Sequence, residues 1–126
     1  MKRATREWLK KAEHDYLAAV ALSRLRKVPL RDQVCFHYQQ SAEKYLKARL
    51  KEADVHIPKT HDLEKLLALL VPFEPLWSTL TLAAQRLSHY AVTIRCPGDE
   101  ATAVHVKRAK QDAQLIREEV RQALGI

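Results

Sequence analysis

Residues 35–50 read Cys-Phe-His-Tyr-Gln-Gln-Ser-Ala-Glu-Lys-Tyr-Leu-Lys-Ala-Arg-Leu, with no Gly or Pro among them. Cys35, Tyr38, Ala42, Tyr45 and Arg49 recur at 3-4-3-4 spacing, which lines one face of an α-helix. Phe36, Leu46 and Leu50 widen that face, and Arg49 continues it by laying its methylenes along it. A second stripe carries His37, Gln40, Ser41, Lys44, Lys47 and Lys51. One helix therefore turns an apolar side to a core and a polar, basic side elsewhere. Two Gln residues and the Glu43-Lys44 pair in the middle of so apolar a helix point to a site or a protein interface.

Upstream, the pattern predicts a first helix from about Thr5 to Leu25, with Trp8, Leu9, Ala12, Tyr16, Ala19, Val20 and Leu22 on its apolar face. Pro29 restricts Val28 and ends it. Asp32 is the expected cap of the second helix, which continues to about Glu52. Downstream, Pro58 disfavours helix at Ile57, and Thr60 is the expected N-cap of a third helix with Asp62 in its first turn. Leu63, Leu66, Leu67 and Leu70 give its buried stripe, and Pro72 stops it. A fourth helix is expected from about Glu74 to Val92, tolerating Pro75 in its first turn. Residues 95–99 read as a turn, and a fifth helix runs from about Glu100 to Ala123, followed by Gly125.

Five helices with short connections imply an all-α fold: an antiparallel up-and-down helical bundle of four main helices plus a short additional one. The second and fifth helices are expected to lie against the first. A length of 126 residues fits one domain, 1–126. With 2 Gly and 5 Pro there is little material for the turns of an all-β fold. The formal charge of +7, from 22 Lys and Arg against 15 Asp and Glu, favours acidic partners such as nucleic acid, nucleotide or an acidic protein. Cys35 and Cys96 lie in no metal-ligand spacing, and no two of the six His stand at i, i+4, so neither a metal nor another cofactor is expected. The first residues lack the apolar core of a signal peptide and no stretch approaches the ~18 apolar residues of a membrane helix, so a cytoplasmic protein without membrane contact is expected.

Trp8 and Ala12, the segment CFHYQQSAEKYLK (35–47), PKTHDL (58–63) and YAVTIRCPG (90–98) together resemble the HEPN domains. The branch that is similar is the stand-alone kind encoded beside a minimal nucleotidyltransferase. The resemblance implies a four-helix up-and-down core with an added short helix, dimer formation, a nucleotide or RNA connection and a toxin–antitoxin-like pairing with the nucleotidyltransferase.

Many members of that family are ribonucleases with an Arg-x(4–6)-His motif, which pairs a proton-transferring His with an Arg that stabilises charge at the phosphate. Here Arg86 and His89 are separated by two residues and Arg95 and His105 by nine. Arg31 and His37 match formally but sit at the start of the second helix, away from the motif's place near the later helices. The expected function is therefore a non-catalytic nucleotide- or RNA-binding module. The alternatives are a metal-independent ribonuclease using Arg95 with His89 or His105, and a purely structural helical subunit. The candidate binding residues are His37, Gln40, Lys44, Lys47, Lys59, His61 and Arg95. Each has a plainer reading: a satisfied histidine, a solvated basic face, an ordinary helix cap, or a turn tied to Asp99. Trp77, Leu82 and Tyr90 are the candidates for a dimer contact.

Overall fold

The computed structural model describes residues 1–91, 98 and 100–126. Five α-helices span Arg3–Ser23 (α1), Arg31–Glu52 (α2), Leu63–Leu70 (α3), Thr81–His89 (α4) and Ala103–Ala123 (α5), with a 3₁₀ helix at Pro75–Leu80 between α3 and α4. There is no strand among the described residues. The fold is the expected all-α bundle.

Helix α2 is the element the others pack on: α1 lies along it, and α5, α3 and α4 each contact it. Its Cys35, Tyr38, Ala42, Tyr45, Leu46 and Leu50 are fully buried or nearly so. They meet Ala12 and Ala19 of α1, the leucines of α3, and Ala109, Ala113, Ile116 and Val120 of α5 in one core. The expectation that α2 and α5 both lie against α1 needs correction. α5 packs on α2 and reaches α1 through Arg117, whose guanidinium bonds Glu13 (Nη2–Oε1 2.8 Å, Nε–Oε2 3.0 Å) and stacks over Tyr16. An apolar strip at 3-4 spacing says that a helix is buried but not which neighbour buries it.

Several boundaries move for local reasons. The fourth helix is shorter than expected, because residues 75–80 tighten into 3₁₀ geometry. Ser78, Thr79 and Thr81 each donate a side-chain hydroxyl to the carbonyl three residues back, which favours the tighter turn. Asp62, not Thr60, is the N-cap of α3: its Oδ1 accepts from the backbone N–H of Glu64 and Lys65, while Thr60 Oγ1 accepts from Asp62 N–H. Asp32 does not cap α2, which has no side-chain cap at all. Its Oδ1 accepts from Ala101 N–H at 2.7 Å and ties α2 to the entry of α5. Helix α5 begins at Ala103 rather than Glu100, because Thr102 and His105 form a reciprocal capping box there. Arg49 does not merely lie along the core; it bonds Glu74 and stands over the Phe73 ring.

Candidate functional site

The polar residues of α2 are largely turned inward. Glu43 is 2% exposed, Gln39 fully buried and Lys47 8% exposed. At i, i+4 and i+8 they share one side of α2. The Glu43 carboxylate is the centre of the group. It accepts from Gln39 Nε2 (3.2 Å), Lys47 Nζ (3.1 Å) and His61 Nδ1 (2.8 Å). Gln39 also donates to the His61 carbonyl, and Gln40 Nε2 donates to Gln39 Oε1 at 2.7 Å. Trp8 covers Lys47, with Nζ 5.6 Å from the ring centre. A buried carboxylate is tolerable only with such a set of donors. These bonds hold the end of the α2–α3 connection onto α2, yet the His61 side chain remains 65% exposed. With Nδ1 turned to Glu43, Nε2 is the ring nitrogen that faces outward.

One turn away, Asp15 of α1 bridges two more of the candidates. It accepts from His37 Nδ1 at 2.9 Å and pairs with Lys44. Glu13 of α1 similarly accepts from Tyr45 Oη and Arg117. The Arg117 hydrogen bond, chiefly, holds the Glu13 carboxyl below its ordinary range, with the Tyr45 hydroxyl helping. Burial, reinforced by Glu13, pushes Tyr45 up to about 12.

Lys44 and Lys47 are therefore neutralised within the bundle, and the basic stripe read from α2 is a set of internal ion pairs. Only Lys51 of that stripe is exposed. The physical reason is the central position of α2, which leaves almost no face for solvated charge. Lys59 is exposed beside His61 in the connection. The structure thus brings Gln40, Lys47 and His61 into one network and His37 and Lys44 into another, and leaves Lys59 at the rim of the first. Arg95 lies outside the described residues. The sequence pattern marks Gln39 only as one of two Gln residues in an apolar helix and does not single out Asp15. Asp15 adjoins Tyr16 on the edge of the α1 apolar face, the one signal that marks it.

The catalytic candidates gather elsewhere. His89 and His105 flank the Tyr90 ring, at 6.3 and 6.2 Å between ring centres. Tyr90 is buried, and burial raises its hydroxyl above the usual range. His105 Nδ1 accepts from Thr102 N–H, which places the proton of the neutral ring on Nε2. Arg86 is held in a two-pronged pair with Asp112 (2.8 and 2.9 Å). Among the described residues no three His, Cys, Asp or Glu side chains are placed to hold a metal ion, and no helix is long and apolar enough to cross a membrane.

The family described as HEPN domain matches residues 5–123. The chain belongs to the HEPN family. The crystal structure of TT1696 from Thermus thermophilus is similar to this HEPN domain at a TM-score of 0.80 and 26% identity, over 96% of this chain and 98% of that one. No curated protein matches. In this HEPN domain the segments that carried the resemblance do distinct work. Trp8 screens Lys47, the 35–47 segment supplies the Glu43 network, and His61 of the 58–63 segment completes it.

Proposed function

We propose that this HEPN domain is a binding module for nucleotide or single-stranded RNA, dimeric, and paired with a minimal nucleotidyltransferase in a toxin–antitoxin-like couple. Its contact is the corner at the end of the α2–α3 connection. The observation that carries the reading is His61, fixed by a buried carboxylate with its Nε2 outward, beside exposed Lys59. With Nδ1–H given to Glu43, Nε2 donates to a phosphate only in the protonated ring, and a ring held this way meets the anion without losing further rotamer freedom. Lys47 serves the site from behind by pairing with Glu43.

Fluorescence anisotropy of a labelled single-stranded RNA tests this. Affinity falls steeply with salt, because phosphate contacts release counterions. Lys59→Glu weakens binding by about fivefold or more at unchanged melting temperature; His61→Ala weakens it too, but also lowers the melting temperature, because it removes a donor from buried Glu43. An unaltered affinity refutes the corner as the contact. Charge reversal of Lys44 or Lys47 is not a usable probe, since it strands Asp15 or Glu43. The RNA should stay intact.

One observation favours the ribonuclease as a second reading: His89 and His105 both stand against Tyr90. Metal-independent cleavage that disappears in His105→Ala would establish it. Dimerisation has Leu82, 64% exposed, as its remaining candidate contact, because Trp77 and Tyr90 belong to the core. Sedimentation showing only a 14.5 kDa species would sink the dimer. Co-purification from the native cell tests the nucleotidyltransferase.

A further inference from the structure

A groove of about 390 Å³ opens at the end of the bundle where α1 turns into α2. Leu22, Leu30 and Val34 line it from α1 and α2, and Val106 from α5, while Arg26 and Arg31 stand in its wall. Residues 23–31 contain Arg24, Arg26, Lys27 and Arg31 and no acid, and all four cations are exposed. None of them makes an ion pair among the described residues, whereas Lys44, Lys47, Arg86 and Arg117 are all paired. The nearest carboxylate in sequence, Asp32, is taken by Ala101 N–H. Lys107 and Lys110 are exposed one turn beyond Ala103 and Val106 and share their side of α5. Apolar side chains stand open among these cations: Leu25 is 49% and Val28 67% exposed.

We propose that this groove docks an acidic amphipathic helix of a partner protein, apolar face on Leu22, Leu25 and Val106, carboxylates on Arg26 and Arg31. The charged side chains that line the groove, Arg26 and Arg31, are both cationic and its floor is aliphatic, while Asp32 and Glu100 line the adjoining pocket on the far side of Arg31. A single-stranded nucleic acid needs ring faces for its bases, and no Phe, Tyr, Trp or His lines the groove among the described residues. A helix laid into a cleft between helices satisfies both requirements, giving apolar anchors at i, i+3 and i+4 and acids on the flanks. The groove is distinct from the RNA-binding corner proposed above: about 18 Å of α2 separates Arg31 from Glu43 at ~1.5 Å rise per residue.

The probe is a synthetic helical peptide with Leu on one face and Glu on the other, labelled and followed by anisotropy at low salt. Binding is expected, with a loss of about tenfold or more in Arg26→Glu/Arg31→Glu and again in Leu25→Asp. The control Lys10→Glu/Lys11→Glu, with the same charge change on exposed α1 positions, stays within about twofold. Melting curves of all variants should match the parent, since none of these side chains holds an ion pair among the described residues. Equal losses in the control reduce the groove to diffuse charge and overturn the proposal, as does indifference to Leu25→Asp or no binding at all. Tighter binding of single-stranded RNA or of anionic lipid vesicles with the same Arg26 and Arg31 dependence overturns it in favour of those occupants. RNA binding at the His61 corner is untouched by Arg26→Glu/Arg31→Glu, so the two readings fail separately.

Discussion

Glu43 shows how one side chain can hold a site together. Its carboxylate is buried and takes donors from Gln39, Lys47 and His61. Glu43→Ala leaves Lys47 buried without a counter-charge and frees the end of the α2–α3 connection. Removal of one member of a buried pair costs about 3 kcal/mol or more, and urea denaturation should show a loss of that size. Ser41 is the opposite case: its Oγ is buried on the same helix with no partner among the described residues. Ser41→Ala removes a desolvated hydroxyl that returns nothing, so stability should hold or rise by up to about 1 kcal/mol. Glu13 carries a pH signature. Its folded carboxyl titrates below the ordinary 4.5, so its contribution is present above that value and is lost as pH falls through the folded one. The stability gap between the parent and Glu13→Gln should therefore be wide at pH 7 and close progressively below about pH 4.5, as read by thermal melts across pH.

At the level of elements, α2 couples the core to alkali. Burial first, with neighbouring groups, lifts Cys35, Tyr38 and Tyr45 each to about 12. Groups raised in the folded state stabilise it below their unfolded values and stop doing so as pH climbs toward the folded ones. Ordinary values are 9.0 for the thiol and 10.0 for the phenols, so helicity should persist to about pH 9 and fail between there and pH 12. In a Tyr16→Phe background, which removes the one half-buried phenol, tyrosinate absorbance should rise together with the loss of circular dichroism; a phenol signal preceding unfolding there would refute buried phenols. The same helix marks where sequence legibility ends. Its apolar face is readable because periodicity is local. Its polar face reads as solvated, because Lys44 finds Asp15 only after α1 and α2 are laid side by side, 29 positions apart in sequence. The 3₁₀ segment at 75–80 escapes for another reason: hydroxyls that bond their own backbone leave the apolar pattern intact. His61 is legible as a candidate from its place before α3, while Gln39 stands out only as one of two amides in an apolar helix, its partners unknown until α2 and the α2–α3 connection are set side by side.

Across the whole molecule the charge is unevenly used. Lys44, Lys47 and Arg49 of α2 are paired inside, whereas Arg31 at its start and the cations of the α1–α2 connection stand without an ion pair among the described residues. The net +7 of the chain is therefore spread over its helices, with one run of unpaired cations at the α1–α2 connection, rather than concentrated on the α2 stripe that suggests it.

The dominance of α2 also orders events in time. α1 and α2 are sequence neighbours, so their pairing closes a short loop, whereas the Glu13–Arg117 bond spans 104 residues. A hairpin of α1 and α2 is then the natural nucleus, with α5 arriving on a surface already assembled. In stopped-flow refolding, Tyr45→Phe should slow folding, and Ile116→Val should leave the folding limb nearly unchanged and speed unfolding. The reverse pattern would mean that α5 is present at the barrier.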